Sequence, residues 1–585
     1  MNPISLSFAH TIARATPCLD GLRMLAALVG VLAFVAPLAA HAQDVDSLPS
    51  RVGRIANIQG QLYRSLPESA DEWAPAVLND PVAQGENLLT EGAARAEVDY
   101  GGGQFRLAAE TNLHVSRLDD RQLALFVAQG SVIVRVRYLE PDDSMRVDTP
   151  STQISLNRPG LYRVNVDPKH GTTSVLVREG EADVELPNGA EPVLPGQIAM
   201  LTGTREVSFE IRNGGGLDGF DTWSAERDRV YEAPRDYGYV SPQMVGQYDL
   251  DSYGDWQTYP EYGAVWFPTV DPEWAPYRFG HWTWLPGFGY TWVDSAPWGY
   301  APFHYGRWAY ISGRWGWCPG TFVLRPVWAP ALVAWYGGGP WSVGAAGLPV
   351  FSWVPLAWGE PFVPWWSGCT SRCYARFNRP YGVNVATRPD PRNVHYANVN
   401  APGGVTAVPA STLVSARPVA INRVQIPRNV APPPALPSPP SIRPAPVLPG
   451  TIRAGSGIPA PVTRYSARPI PSATLTERVP PTPIAPPVPR GRGAASVSPE
   501  RVVPMPVPPT APRATERIEP LPRVAPLPQP VRPVPVPPPA PVSPPVRVPE
   551  PSLPLPRTPA PPVPGVSPAP PAAVVPTPVR PVEPK

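Results

Sequence analysis

The last 185 residues of this 585-residue chain, Ala401 to Lys585, contain a single aromatic side chain, Tyr465, and no aspartate. They hold 57 of the 91 prolines. A segment with about 30% proline and almost no rings cannot bury enough apolar surface to offset its ordering entropy. One large globular enzyme is therefore excluded, and the composition leaves two ordinary domains ahead of a disordered tail. Cysteine is scarce too. Cys18 lies in the N-terminal leader, Cys369 and Cys373 stand four apart in SGCTSRC and read as a small-loop disulfide, and Cys318 is left unpaired and buried. The seven histidines form no HxH or HxxxH pair, so no metal and no cofactor is assigned. GxSxG and HExxH are missing, and no catalytic residue is assigned.

Charge divides as the aromatics do. The tail carries 18 Arg and Lys585 against six Glu, a net +13, so the chain total of +2 leaves −11 for the first 400 residues. At the N-terminus Arg14 and Arg23 precede the apolar run Met24 to Leu38, and Ala40-His41-Ala42 is a small-x-small cleavage site. This reads as a signal peptide over 1–42, cut between Ala42 and Gln43, because the run is shorter than the ~20 residues of a spanning helix. The expectation is a periplasmic or secreted mature chain without a transmembrane segment, for which nucleic acid is not an expected partner.

From 52 to 204, short runs alternate apolar and polar residues between Gly, Pro, Asn and Asp, as in Ala94–Tyr100, Leu123–Val127, Ser131–Val136 and Tyr162–Val166. Period-two alternation with turns about every ten residues predicts an all-β sandwich or a stacked β-coil. The order of motifs resembles a FecR-like domain. It comprises Gly85-Glu86-Asn87-Leu88-Leu89-Thr90, the Tyr100 to Leu107 hairpin, Val127 to Val132, Val147-Asp148-Thr149-Pro150 with Gly160 to Val164, Val177 to Val184, and Leu194-Pro195-Gly196-Gln197. The resemblance implies an all-β domain on the outer side of a membrane. In the regulators that give the family its name, that domain relays iron-uptake signals to a sigma factor.

A short helical linker is expected over 218–234, with Asp221 as N-cap and Pro234 as stop. Between 239 and 381 the chain becomes repetitive. Phe279-Gly280-His281-Trp282-Thr283-Trp284 recurs 26 residues later as Tyr305-Gly306-Arg307-Trp308-Ala309-Tyr310, and Gly287 to Trp292 is answered by Gly313 to Trp317. Each unit reads strand, glycine turn, strand, which predicts Trp-rich β-hairpin repeats. Alternation puts Trp282 with Trp284, and Trp315 with Trp317, on one face of each strand. Such faces are either the core of a small unit or an exposed platform that stacks on sugar rings. The platform would use Trp282, Trp284, Trp292, Trp308, Trp315 and Trp317, with Asp249, Asp251, Asp255, Glu261, Asp271 and Glu273 to bind hydroxyls. The stretches Tyr239 to Gly246, Leu250 to Trp256 and Tyr262 to Pro268 resemble an uncharacterised aromatic-rich domain that follows FecR-like domains in exported bacterial proteins.

From 384 to 585, Pro-Val, Pro-Ala and Pro-Pro runs favour polyproline II, and Arg recurs among them almost to the exclusion of Lys. Guanidinium forks suit phosphate and carboxylate, so anionic polysaccharide, lipopolysaccharide or peptidoglycan are the expected partners, with another envelope protein as a further one. Three functional readings follow. One is a non-enzymatic exported envelope protein with a binding or scaffold role. The second is a carbohydrate-binding module. The third is a trans-envelope signalling component.

Overall fold

The computed structural model describes residues 48–66, 71–203, 207–232, 238–337, 349–426, 431–442, 450–455 and 457–462. The leader expected at 1–42, Pro234 and the tail beyond 462 lie outside the described residues. The architecture is all-β, as the alternation predicts. No described helix is long and apolar enough to cross a membrane, which says nothing of a β-barrel.

The N-terminal region is a sandwich of two sheets. One contains Gly53–Gln59, Arg95–Asp99, Gly103–Leu107, Gly160–Asp167, Thr172–Glu179, Gln197–Thr202 and Ser208–Asn213. The other contains Glu72–Pro75, Leu62–Ser65, Asn87–Thr90, Asn112–Leu118, Ser144–Asp148, Gln153–Leu156, Ala182–Leu186 and Gly189–Val193. Inward-pointing Val98, Val134, Val164 and Val175 of the first and Leu88, Leu113, Leu125 and Ile154 of the second fall in one aliphatic core. That shared core makes it a sandwich. The domain continues past 204, because Ser208–Asn213 pairs along Gln197–Thr202.

One strand belongs to both sheets. The sequence predicts separate strands at 123–127 and 131–136, whereas Gln122–Val136 is continuous. Its first half pairs with Asn112–Leu118 and Ser144–Asp148, its second with Gly103–Leu107 and Gly160–Asp167. The bend falls at Gly130, with φ +93°, where a Cβ would lie 2.5 Å from the Thr111 backbone. Glycine here turns the strand from one sheet to the other without ending it.

The helix Gly219–Glu232 is capped by Asp218, which accepts from the Phe220 and Asp221 amides at 2.8 and 2.9 Å. The expected cap, Asp221, instead lies in the first turn, where its carboxylate accepts from the Asp218 amide and from Arg163. The segment is more than a linker. Buried Arg106 bonds Glu97 of the sheet and Ser224 and Asp228 of the helix, and Arg135 and Arg137 converge on the same Asp228. Arg227 and Tyr231 complete the shell of Glu97. Buried charges are tolerated because each is paired several times over.

The aromatic region has the hairpins that its repeats predict. Gly280–Leu285 pairs with Gly289–Asp294, placing Trp282 opposite Trp292, and Arg307–Ile311 pairs with Arg314–Cys318, placing Trp308 opposite Trp317. The second hairpin joins Gly254–Tyr259 and Gly263–Pro268 in a four-stranded sheet. A third sheet pairs Val333–Gly337 with Val350–Pro355.

The sequence puts the start of the disordered tail at 384, but the structure keeps the chain on the folded body well beyond it. Thr406–Pro409 adds a strand to Val350–Pro355, and Val408, Leu413 and Val419 are buried in the tryptophan core. Ile452–Arg453 pairs with Glu72–Pro75 at the edge of the sandwich. The compositional argument counted only the segment's own rings. This stretch is ordered by indoles that lie upstream of it.

Candidate functional site

The six tryptophans of the expected platform do not form one. Trp282, Trp292, Trp308, Trp315 and Trp317 are each 5% exposed or less, and only Trp284 is half-buried. The hairpins face each other. The Trp282 ring lies 5.2 Å from Trp292, 4.5 Å from Trp335 and 5.2 Å from Trp353, so no face is left for a sugar. Indole N–H groups donate instead to backbone carbonyls, Trp308 to Pro302, Trp315 to Pro402 and Trp317 to Tyr305, at 2.8–3.1 Å.

The acids expected to bind hydroxyls are dispersed. Asp249 pairs with buried Arg54, and Asp251 accepts from the Trp256 indole at 3.0 Å. Asp271 and Glu273 lie exposed beside one tight turn.

Arg54 marks a junction that the sequence did not disclose. Its guanidinium also bonds Asn79 at 2.8 Å and the Pro297 carbonyl at 2.6 Å, while Asn79 reaches the carbonyls of Asp294 and Ala296. Asp99 of the sandwich accepts from the Gly246 amide at 3.1 Å. Burial pushes the Asp99 carboxyl up to about 6, against the pull of its amide donors. Asp294 is pushed up to about 7 by burial, although it accepts from the Trp292 indole and the Ala296 amide. The two domains are thus held together by buried polar groups.

An open cleft of about 620 Å³ lies beside this junction. Its apolar lining comes from Tyr239 and Met244 on one segment and Phe322 and Val323 on another, with Phe322 56% exposed. Another wall is the helix Ser371–Asn378 and the turn that follows it. Thr370 caps it by accepting from the Cys373 amide, and a Cys369–Cys373 disulfide closes over its first turn. Tyr374, Phe377 and Asn378 face inward. Asn378 is held by Arg307, a buried guanidinium that bonds the Glu360 carbonyl at 3.0 Å and Asn378 Oδ1 at 3.1 Å. Arg372, Arg376 and Arg379 line the cleft and are exposed.

Those arginines are not equivalent. Arg325, on the opposite wall, is engaged by Asp143 through both terminal guanidinium nitrogens, and Arg376 bonds Asp120 at 3.1 Å and Ser50 at 2.8 Å. Burial alone would raise the Asp120 carboxyl, but the Ser50 hydroxyl and Arg376 hold it below the ordinary carboxylate range. Among the described residues, Arg372 and Arg379 make no ion pair, and no Asp, Glu, His or Cys lines the cleft. Two unpaired guanidiniums beside an apolar wall suit an anionic group carried on an apolar or ring-shaped body. The i, i+4, i+7 spacing of Arg372, Arg376 and Arg379 was readable as one helical face. No group of three or more His, Cys, Asp or Glu among the described residues could hold a metal ion. Cys318 is a free, buried thiol that burial pushes up to about 12.

Residues 247–360 match the model of a family of unknown function, DUF6600. No curated protein matches the chain. Two crystal structures of a proposed anti-sigma factor from Parabacteroides distasonis are similar at 15% identity and a TM-score of 0.20 each. One match covers 22% of this chain and 59% of that one, the other 32% and 99%, and at that TM-score neither supports an argument.

Proposed function

We propose that this chain is an exported, non-enzymatic envelope protein that binds anionic envelope material through the cleft and the arginine-rich tail. The observation that carries the reading is the pair Arg372 and Arg379, guanidiniums without carboxylate partners among the described residues, at the rim of a partly apolar cleft. The same arginine chemistry recurs in the tail, so both parts would recognise phosphate or carboxylate, as on lipopolysaccharide or peptidoglycan. The reading of the first domain as FecR-like rests on its motif order and agrees with the sandwich. Export rests on the leader, and N-terminal sequencing of the mature protein should begin at Gln43.

Titration of the full chain with lipopolysaccharide, peptidoglycan fragments and neutral glycans tests the reading. Anionic ligands should bind, and R372A/R379A should weaken binding to the cleft about tenfold or more, with a smaller salt dependence. Equal binding of neutral glycans, or an unchanged affinity in the double variant with the tail charges neutralised, would overturn it.

A further inference from the structure

Beyond the cleft, a second surface already holds a peptide, and that peptide is part of the same chain. The strand Glu72–Pro75 lies at the sandwich edge, and its free side is taken by Ile452–Arg453 in antiparallel register, Ile452 opposite Trp73. The chain then turns and presents Pro459-Ala460-Pro461-Val462 to three side chains of the sandwich. The Trp73 indole donates to the Pro459 carbonyl at 2.9 Å, and the Asn112 amide to the Ala460 carbonyl at 3.1 Å. Asn87 Oδ1 accepts from the Val462 amide at 3.0 Å.

The pattern selects proline. Pro461 is buried, and a residue there with an N–H would need a partner inside the groove, whereas proline brings none. The two preceding carbonyls and the following amide meet side chains, so the groove reads a defined run of acceptor, acceptor and donor. This is strand addition followed by recognition of an extended proline segment.

The seated tetrapeptide is not unique in the sequence. Pro-Ala-Pro-Val recurs at 444–447 and at 539–542. We propose that the groove formed by Trp73, Asn87 and Asn112 is a recognition site for Pro-Ala-Pro-Val, and that its occupant exchanges between Pro459–Val462 and Pro539–Val542 of the same chain. The 76 residues between the copies span far more than the groove needs, at up to ~3.1 Å each. A tethered copy is present at an effective concentration on the order of millimolar, above that of a second molecule.

The test measures amide hydrogen exchange in the full chain at Val462 and at Ala454, whose amide donates to the Asp71 carbonyl at 2.9 Å, with a synthetic peptide covering residues 535–546. At a few millimolar, the peptide should speed exchange at both amides about tenfold, leaving the sandwich core unchanged. A control peptide carrying P541G and V542S should do nothing. Asn112→Ala should speed exchange at Val462 without any peptide. Replacing 539–542 by Gly-Ser-Gly-Ser in the full chain, far from the folded body in sequence, should slow it about twofold by removing the competitor. No response to the peptide, or an equal response to the control, overturns the recognition site. Exchange that depends on protein concentration, with a matching rise in mass by light scattering, overturns the same-chain assignment and moves the occupant to a second copy.

Discussion

The two halves of the folded body solve one problem with different side chains. The sandwich ladders many strands into two continuous sheets, and its core is mostly Val, Leu and Ile drawn from alternate positions. The aromatic region has strands of five or six residues joined by irregular Pro- and Gly-rich loops, and its main core holds eleven tryptophans. Aliphatic packing works where a sheet ladder satisfies the backbone, because methyl groups add burial and nothing more. Loops leave carbonyls without a ladder. An indole fills a wide gap and brings one N–H to such a carbonyl, as Trp266 does for Leu250, Trp353 for Tyr277 and Trp365 for Phe288. All eleven serve as core, and six of them, Trp266, Trp292, Trp308, Trp315, Trp317 and Trp353, also donate hydrogen bonds from their indole nitrogens.

Four experiments would break or sharpen this contrast. Arg54→Ala should have the largest effect, about 3 kcal/mol, since it strands Asn79 and Asp249 at the junction. Urea unfolding followed separately by tryptophan fluorescence and far-UV circular dichroism should then give two midpoints where the parent chain gives one. A single shared midpoint would mean the halves are coupled elsewhere.

Next, Trp317→Phe should cost about 1–3 kcal/mol more than Trp282→Phe. The first strands the Tyr305 carbonyl, whereas the Trp282 indole nitrogen has no hydrogen-bond partner among the described residues to lose. Equal losses in chemical denaturation would reduce the indoles to volume alone.

A subtler contrast concerns pH. Asp294, raised by burial to about 7, keeps its proton in the folded state at pH values where the unfolded chain has released it. Its contribution is therefore complete below about pH 4 and lost as pH rises to about 7. Asp294→Asn should flatten the fall in stability between pH 4 and 7, which urea midpoints at four pH values would detect. Smallest of all, R372A/R379A should leave the unfolding midpoint within about 0.5 kcal/mol of the parent, because neither side chain makes an ion pair among the described residues.

Legibility follows from the range of each interaction. The hairpins around Trp282 and Trp308 could be read because a repeat, a glycine turn and period-two alternation are all local. The sandwich could be read for the same reason, apart from the strand through Gly130, where a turn residue marks a bend. The helix beginning at Gly219 was legible to within a turn, with the cap displaced from Asp221 to Asp218 because both are aspartates three apart. The side of the hairpins on which Trp282 and Trp317 end was not legible. Alternation says that two residues share a face, and only the neighbouring sheet says whether that face is covered.

What the chain's own order of residues determined is the all-β class, the split into an aliphatic and an aromatic region, and the paired Cys369 and Cys373. Each depends on composition or on neighbours a few positions apart. Tertiary structure decided the burial of the tryptophans, the Arg54 junction, the arginine-lined cleft and the seating of Pro459–Val462 on Trp73. The last of these joins residues 386 apart in sequence. No local pattern carries such a contact, because its free energy exists only once both surfaces have formed.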